Sequence, residues 1–167
     1  MRPVDAVLAV TFRCNARCAM CGIWQTPAGQ ELAPDVYRKL PGSLRDVNLT
    51  GGEPFLRDDL PRVHEAVHAA APGVQIIVSS NGLLTEKIVA ALREMSRLEP
   101  RIGLAISLDG PAEIHDALRG IPNSHDRALR TLEEVRQAGI TNLRLAFTAT
   151  RRNTEHLGYV YDLSRKL

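Results

Sequence analysis

Three cysteines, Cys14, Cys18 and Cys21, fall within eight positions of the stretch RCNARCAMCGIW (residues 13–24), and the other residues of the 167 contain none. Thiolates crowded onto one short segment are ligands for a soft metal or a place where the chain is stapled. A structural zinc site takes four protein ligands, often in CxxC pairs; here there is no second pair, and no histidine lies within forty residues of Cys21. A cubane iron–sulfur cluster has four irons that each need one external ligand, so three thiolates leave one iron free for a small molecule. The CxxxCxxC spacing therefore favours such a cluster. Zinc completed from elsewhere and plain buried thiols are the alternatives, the second weakened because Asn15, Ala16, Arg17 and Gly22 do not make a core strand.

Other chemistry-bearing residues gather in short polar or glycine-rich stretches: TGGEP (50–54), SSNG (79–82), SLDG (107–110) and TATRRN (148–153). Each follows a run dense in valine, isoleucine and leucine. The runs VDAVLAVT (4–11), DVNLT (46–50), VQIIVS (74–79), IGLAISL (102–108) and LRLAFTA (143–149) read as strands, apolar enough to be buried on both faces. Between them lie helical patterns. Leu60, Val63, Val67 and Ala70 form a stripe after an Asp58 or Asp59 cap and Pro61. Leu84, Ile88, Leu92, Met95 and Leu98 recur at helical spacing with Thr85 as N-cap. A short turn, PAEIHDAL, precedes a helix capped by Ser124 and stopped by Gly139, and a last helix opens at Asn153 with Leu157, Val160 and Tyr161 on one side.

Five repeats of strand and crossover helix predict an α/β fold on a parallel sheet with right-handed connections. Periodicity alone does not choose between an open doubly wound sheet and an arc of a barrel. In either, the polar stretches lie at the carboxyl ends of the strands, where parallel α/β proteins place their sites.

The cysteine motif after the first strand, GGEP after the second and SLDGPAEIHDALRG (107–120) after the fourth together resemble the radical S-adenosylmethionine (radical SAM) enzymes. The likeness runs from residue 4 to about 150. The segment around the cysteines, with Ile23 and Trp24, is similar to the SPASM and MoaA-like branch, which includes peptide-modifying and cofactor-maturing members. The resemblance implies a partial (β/α) barrel of the TIM type and a 4Fe-4S cluster held by Cys14, Cys18 and Cys21, with the amino and carboxylate groups of SAM on the fourth iron. Gly51 and Gly52 would let backbone approach the cofactor, and Glu53 would accept from the methionyl ammonium. Ser107 and Asp109 suit the ribose hydroxyls, with Asn81 a further candidate. Arg119 offers a planar fork for the methionine carboxylate, and Met20 packs against the adenine. No residue is singled out as catalytic in its own right. The implied reaction is reductive cleavage of SAM to a 5′-deoxyadenosyl radical that abstracts hydrogen from a small-molecule or peptide substrate, with a flavodoxin- or ferredoxin-like electron donor. The other expectation is a non-catalytic or partner-completed SAM- and cluster-binding core.

Taken one at a time, these residues have plainer readings. Asp109-Gly110-Pro111 is also a turn signal, Ser107 could satisfy a strand end, and Arg119 could pair with Glu113 or Asp116. Trp24, the sole tryptophan, reads as core or rim. HEAVH (64–68) matches a zinc-protease motif, but it falls on the helix after the second strand, beside its buried stripe and away from the strand ends, with no third ligand apparent.

The chain's length suits one domain, 1–167, which by the resemblance is incomplete at its C-terminus because the family core has six strand–helix units and five are read here. A formal charge of +2 is too small to signal nucleic acid, and the basic pairs Arg151-Arg152 and Arg165-Lys166 read as solvated helix ends. No apolar run approaches the roughly 20 residues of a membrane span, and Asp5 interrupts the first. No membrane anchor or signal peptide is expected. An odd number of cysteines without an export signal points to a reducing, cytoplasmic setting.

Overall fold

A computed structural model describes residues 2–167. Its five strands are β1 (Asp5–Thr11), β2 (Asp46–Gly51), β3 (Gln75–Ser80), β4 (Gly103–Ser107) and β5 (Asn142–Ala146). They form one sheet in the order β1-β2-β3-β4-β5, every pair parallel. Each strand lies beside the next in the chain, so the winding never reverses. Right-handed crossovers of that kind put every helix on one face, and the sheet curls as an arc of a barrel. The helices are α1 (Leu60–Ala70), α2 (Thr85–Leu98), α3 (Ala112–Arg119), α4 (Ser124–Gln137) and α5 (Leu157–Ser164). The connection from β1 to β2 carries only two short 3-10 turns, Ile23–Gln25 and Pro34–Lys39, and this is the segment that holds the cysteines.

Alternate strand residues face the helices. Val47 and Leu49, Ile76 and Val78, and Leu104 and Ile106 pack with Val63, Ile88 and Leu92 in a single core. The other face was expected to be buried too, and at the edges it is not: Val7 is 72% exposed and Arg144 is exposed. The reason is the curl, which turns this face into the concave side of the arc. It carries Asn48 hydrogen-bonded to the Ser79 hydroxyl (2.9 Å) and, toward the strand ends, Thr50, Ser79 and Ser107.

Several local expectations change for tertiary reasons. Thr85 is the first residue of α2 rather than its cap; its hydroxyl meets that of Thr131 at 2.7 Å inside the protein, and Thr131 donates to the Gly82 carbonyl. Ser124 likewise begins α4, after Asn123 in the left-handed region. The amides of Asn123 and His125 and the Ser124 hydroxyl all donate to Asp116 of α3, so a carboxylate from a neighbouring helix does the capping. Asp59 occupies the N-cap of α1, yet its carboxylate pairs with Arg57. PAEIHDAL is a two-turn helix, α3, not a simple turn. A 3-10 turn (Thr154–His156) precedes α5, and of the stripe Leu157, Val160 and Tyr161 only Val160 is buried, because α5 packs on the sheet at its β5 edge.

The HEAVH histidines are not gathered with a third ligand. His64 is buried in the helix layer with its Nε2 unpartnered, His68 lies 3.7 Å from Glu99, and among the described residues no group of His, Cys, Asp and Glu is arranged to hold a single metal ion.

Burial pushes His64 down to about 4, helped by the charge of His68, and His115 falls to about 4 through burial and the nearby Arg119. A depressed imidazole refuses in the fold a proton that the unfolded chain accepts below about 6.5, so stability is full above that pH and falls as pH drops toward 4. Each imidazole is expected to cost roughly 2 kcal/mol at pH 5. Thermal denaturation of His64→Leu should show a smaller loss between pH 7.5 and pH 5 than the parent; an equal loss would show that His64 is not one of the responsible groups.

Candidate functional site

The segment bearing the cysteines leaves β1 and is tied down at each side. At its start the Gly52 amide donates to the Thr11 carbonyl (2.8 Å) and the Glu53 amide to that of Arg13 (2.8 Å), so the β1 and β2 ends travel together. Gly51 has φ of 126°, and a Cβ on either glycine would overlap the carbonyl oxygen of Thr11 or Arg13. In the middle, the Arg17 amide donates to the Arg119 carbonyl (3.0 Å) and the Ala19 amide to that of Leu118 (2.8 Å), which docks the segment on the last turn of α3. Gly120, left-handed at φ 66°, ends that helix with its Cα facing the Arg17 carbonyl. Asn81 donates from its side chain to Asn15 (2.7 Å), and the Trp24 indole N–H reaches the Cys18 carbonyl (3.3 Å).

Held this way, the three thiols line one cavity of about 230 Å³ at the carboxyl ends of the strands. Cys18 is buried, Cys14 half-buried and Cys21 exposed. Burial pushes the Cys14 thiol up; the Ala16 amide opposes this, while the charges of Glu53, Cys18 and Cys21 add to it. Three thiolates facing one space repel one another, and a positively charged group bound among them relieves that repulsion. They do not converge to grip a single ion, and no His, Asp or Glu joins them in the cavity wall. Three sulfurs without a fourth protein ligand suit a cluster with irons at separate corners better than a closed zinc site.

The other expected residues divide into two sets. Met20, Gly51, Gly52, Asn81, Ser107 and Arg119 line the cavity with the cysteines. Glu53 and Asp109 do not: each is 0% exposed and turned into the protein. Glu53 accepts from the Phe55 amide (3.2 Å), the Ser80 hydroxyl (3.0 Å) and the Asn81 amide (2.8 Å), clipping the β2 and β3 ends together. Its oxygens are occupied by this task, and the carboxylate does not line the cavity where a methionyl ammonium was expected. Burial pushes it up to about 7 against the pull of those three donors. Asp109 accepts from Arg119 Nε (2.7 Å) and from the Thr148 amide (2.9 Å), while its own amide donates to His115 Nδ1 (3.1 Å). It does not line the cavity. Arg119 therefore pairs with neither Glu113 nor Asp116, and the Nε side of its fork is closed on Asp109. The Asn81 side chain is committed to Asn15 and to the Leu83 amide.

Trp24, read from sequence as core or rim, is a cavity wall with Ile23; the 3-10 turn that aims it leaves no periodic trace in the sequence. Thr50, Ser79 and Thr148 also line the cavity and were not singled out. Their signal was available for the first two: counting by twos from the strand interior puts Thr50 and Ser79 on the face of Ser107.

Comparison with known proteins adds three findings. Residues 8–157 match the sequence profile of the Radical SAM superfamily. The chain is 31% identical over 172 residues to an Fe-coproporphyrin III synthase of Methanosarcina barkeri, covering 97% of this chain and 41% of that protein, and 31% identical over 166 residues to a mycofactocin maturase of Mycolicibacterium smegmatis, covering 93% and 40%. It thus spans about two fifths of the length of the curated relatives it matches. Its fold is similar to Streptococcus suis SuiB bound to S-adenosylmethionine (TM-score 0.80, 18% identity, 99% of this chain and 38% of that one) and to anSMEcpe with bound AdoMet (TM-score 0.75, 16% identity, 98% and 49%).

The docking of the cysteine segment on α3 can be broken at one atom. In Gly120→Ala the new Cβ would stand 2.6 Å from the Arg17 carbonyl oxygen, whereas Gly139→Ala, equally left-handed at φ 89°, meets nothing within 4 Å. Both substitutions carry about 1–2 kcal/mol of backbone strain. Only Gly120→Ala should speed alkylation of the buried Cys18 thiol, by several-fold; equal rates in the two variants would show that the segment does not depend on that contact.

Proposed function

This chain belongs to the radical SAM superfamily, and we propose on that basis that it is an enzyme core that holds a 4Fe-4S cluster on Cys14, Cys18 and Cys21 with S-adenosylmethionine in the same cavity. The observation that carries the reading is the set of three thiols lining one cavity whose remaining wall, from the ends of β2 to β5 and from Arg119 of α3, supplies no fourth ligand. Bound together, cluster and SAM supply reductive cleavage to methionine and a 5′-deoxyadenosyl radical that takes hydrogen from the substrate.

The chain's own part is to place, orient and exclude water. Gly51 and Gly52 present backbone without side chains, so a cofactor can lie directly on the β2 end. Ser107 offers a hydroxyl for a ribose, and Met20 with Trp24 forms an apolar wall suited to the adenine. Glu53 and Asp109 serve from behind, holding the loops in register, while Asn81, braced by Asn15 and the Leu83 amide, lines the cavity. Cys21, the exposed thiol, marks the corner nearest solvent, where a flavodoxin- or ferredoxin-like donor would deliver its electron.

Beside Ser107 on the concave face, Arg144 and Ala146 of the edge strand β5 are exposed, a space along which a substrate can lie. A peptide or a cofactor precursor fits both that space and the relatives: one is named a maturase, another a coproporphyrin synthase, and SuiB has been seen with its precursor peptide. We read residues 1–167 as one core domain. The exposed side of β5 favours completion by a further strand, from this protein or a partner, and a non-catalytic SAM- and cluster-binding role is the second reading.

Protein reconstituted anaerobically with iron and sulfide and reduced with dithionite should convert SAM to 5′-deoxyadenosine, measured by chromatography and mass spectrometry. Cys14→Ala, Cys18→Ala and Cys21→Ala should each reduce the product to background. Cluster-loaded protein that binds SAM and yields no 5′-deoxyadenosine would select the non-catalytic reading.

A further inference from the structure

Arg119 faces two ways, and only one of them is explained by anchoring. Its Nε and Nη2 both meet Asp109 Oδ2, at 2.7 and 2.6 Å, while Nη1 points at Cys18 Sγ from 3.7 Å. Among the described residues this is the one side-chain hydrogen bond made to a cysteine sulfur. Arg119 as a whole residue is 9% exposed, and Cys18 is buried as well.

The arrangement is fixed from behind. Asp109 has no exposure, and its second carboxylate oxygen, amide and carbonyl are all committed, to the Thr148 amide, to His115 Nδ1 and to the Asn153 side chain (3.0 Å). An anion held from β4, α3, the β5 end and Asn153 cannot swing, so neither can the cation paired with it. Arg119 also accepts the Arg17 amide through its backbone carbonyl, so the residue that aims a charge at Cys18 fixes the position of the Cys18 segment too.

We propose that Arg119 tunes the reduction potential of the cluster through an N–H···S bond to Cys18, with Asp109 as its positioning residue. The inference rests on the proposed ligation of a 4Fe-4S cluster by Cys18. A hydrogen bond to a ligand sulfur and a nearby positive charge both favour the reduced, more negative state and raise the potential, and both act strongly in a buried, low-dielectric setting. Water at the exposed Cys21 corner screens more. The cluster is thus supported unequally, with its best-stabilised corner deepest in the protein.

The test is an anaerobic redox titration of the reconstituted protein without SAM, followed by electron paramagnetic resonance. Arg119→Gln should make reduction at least tenfold less favourable, about 59 mV for a one-electron couple. Arg119→Lys, which keeps the charge, should recover most of that shift, and Arg17→Gln, which removes an exposed arginine from the same segment, should leave the potential unchanged. A cluster-loaded Arg119→Gln protein with the parent potential overturns the inference, as does an equal shift in Arg17→Gln. Should the Arg119 variants not fold, the parent protein decides: with nitrogen-15-labelled arginine, pulsed spectroscopy of its reduced cluster should show a nitrogen coupling, and its absence overturns the inference. Parent protein that takes up no cluster overturns this inference and the proposed function together, whereas the outcomes above overturn this one alone.

Discussion

Where the three thiols can stand is decided by backbone meeting backbone. The segment from Phe12 to Cys21 has no regular structure of its own, and it is placed by amide–carbonyl bonds to the β2 end and to the last turn of α3. Those bonds need approaches that a Cβ would block, and Gly51, Gly52 and Gly120 are the residues at the points of contact. Flexible in an unfolded chain, these glycines become the tightest joints of the folded one. The thiols inherit the rigidity of the sheet although none lies on a strand.

Two buried carboxylates extend that logic across the site. Glu53 gathers donors from the β2 and β3 ends, and Asp109 gathers them from Arg119 of α3 and from the Thr148 amide at the β5 end. A buried carboxylate is costly unless its oxygens are satisfied, and here each is satisfied only when several strand ends are in register. Their energetic stake therefore lies in the arrangement of the loops as a unit. Glu53 shows the balance: three donors do not fully offset its burial, and it stays above the ordinary carboxylate range. Its share of stability is held at acid pH and lost as pH rises through about 7, the opposite sign to the buried imidazoles of His64 and His115.

Much of this was legible in the chain. Strand boundaries fall within one to three residues of the apolar runs because buried parallel strands need nothing but such runs. The cysteine spacing and the polar stretches after each strand pointed to the cavity, since the direction of a parallel sheet fixes where its loops gather. What did not read out was direction at single residues. Thr85 and Ser124 carry the hydroxyls of helix caps, yet their partners, Thr131 and Asp116, are distant in sequence. Glu53 and Asp109 stand in polar motifs, and composition alone does not say whether a carboxylate faces a cavity or the protein behind it. Trp24 depended on a three-residue 3-10 turn with no periodicity to reveal it.

The proposed function requires a cluster on three cysteines with one iron left for a ligand. The direct measurement is the electron paramagnetic resonance spectrum of the dithionite-reduced, fully reconstituted protein recorded with and without S-adenosylmethionine. A spectrum whose g values shift on addition of the cofactor, with the shift saturating near one equivalent, is the predicted result. A spectrum that stays the same at saturating cofactor would contradict the account, because an open corner at this cavity could not then be where the cofactor binds.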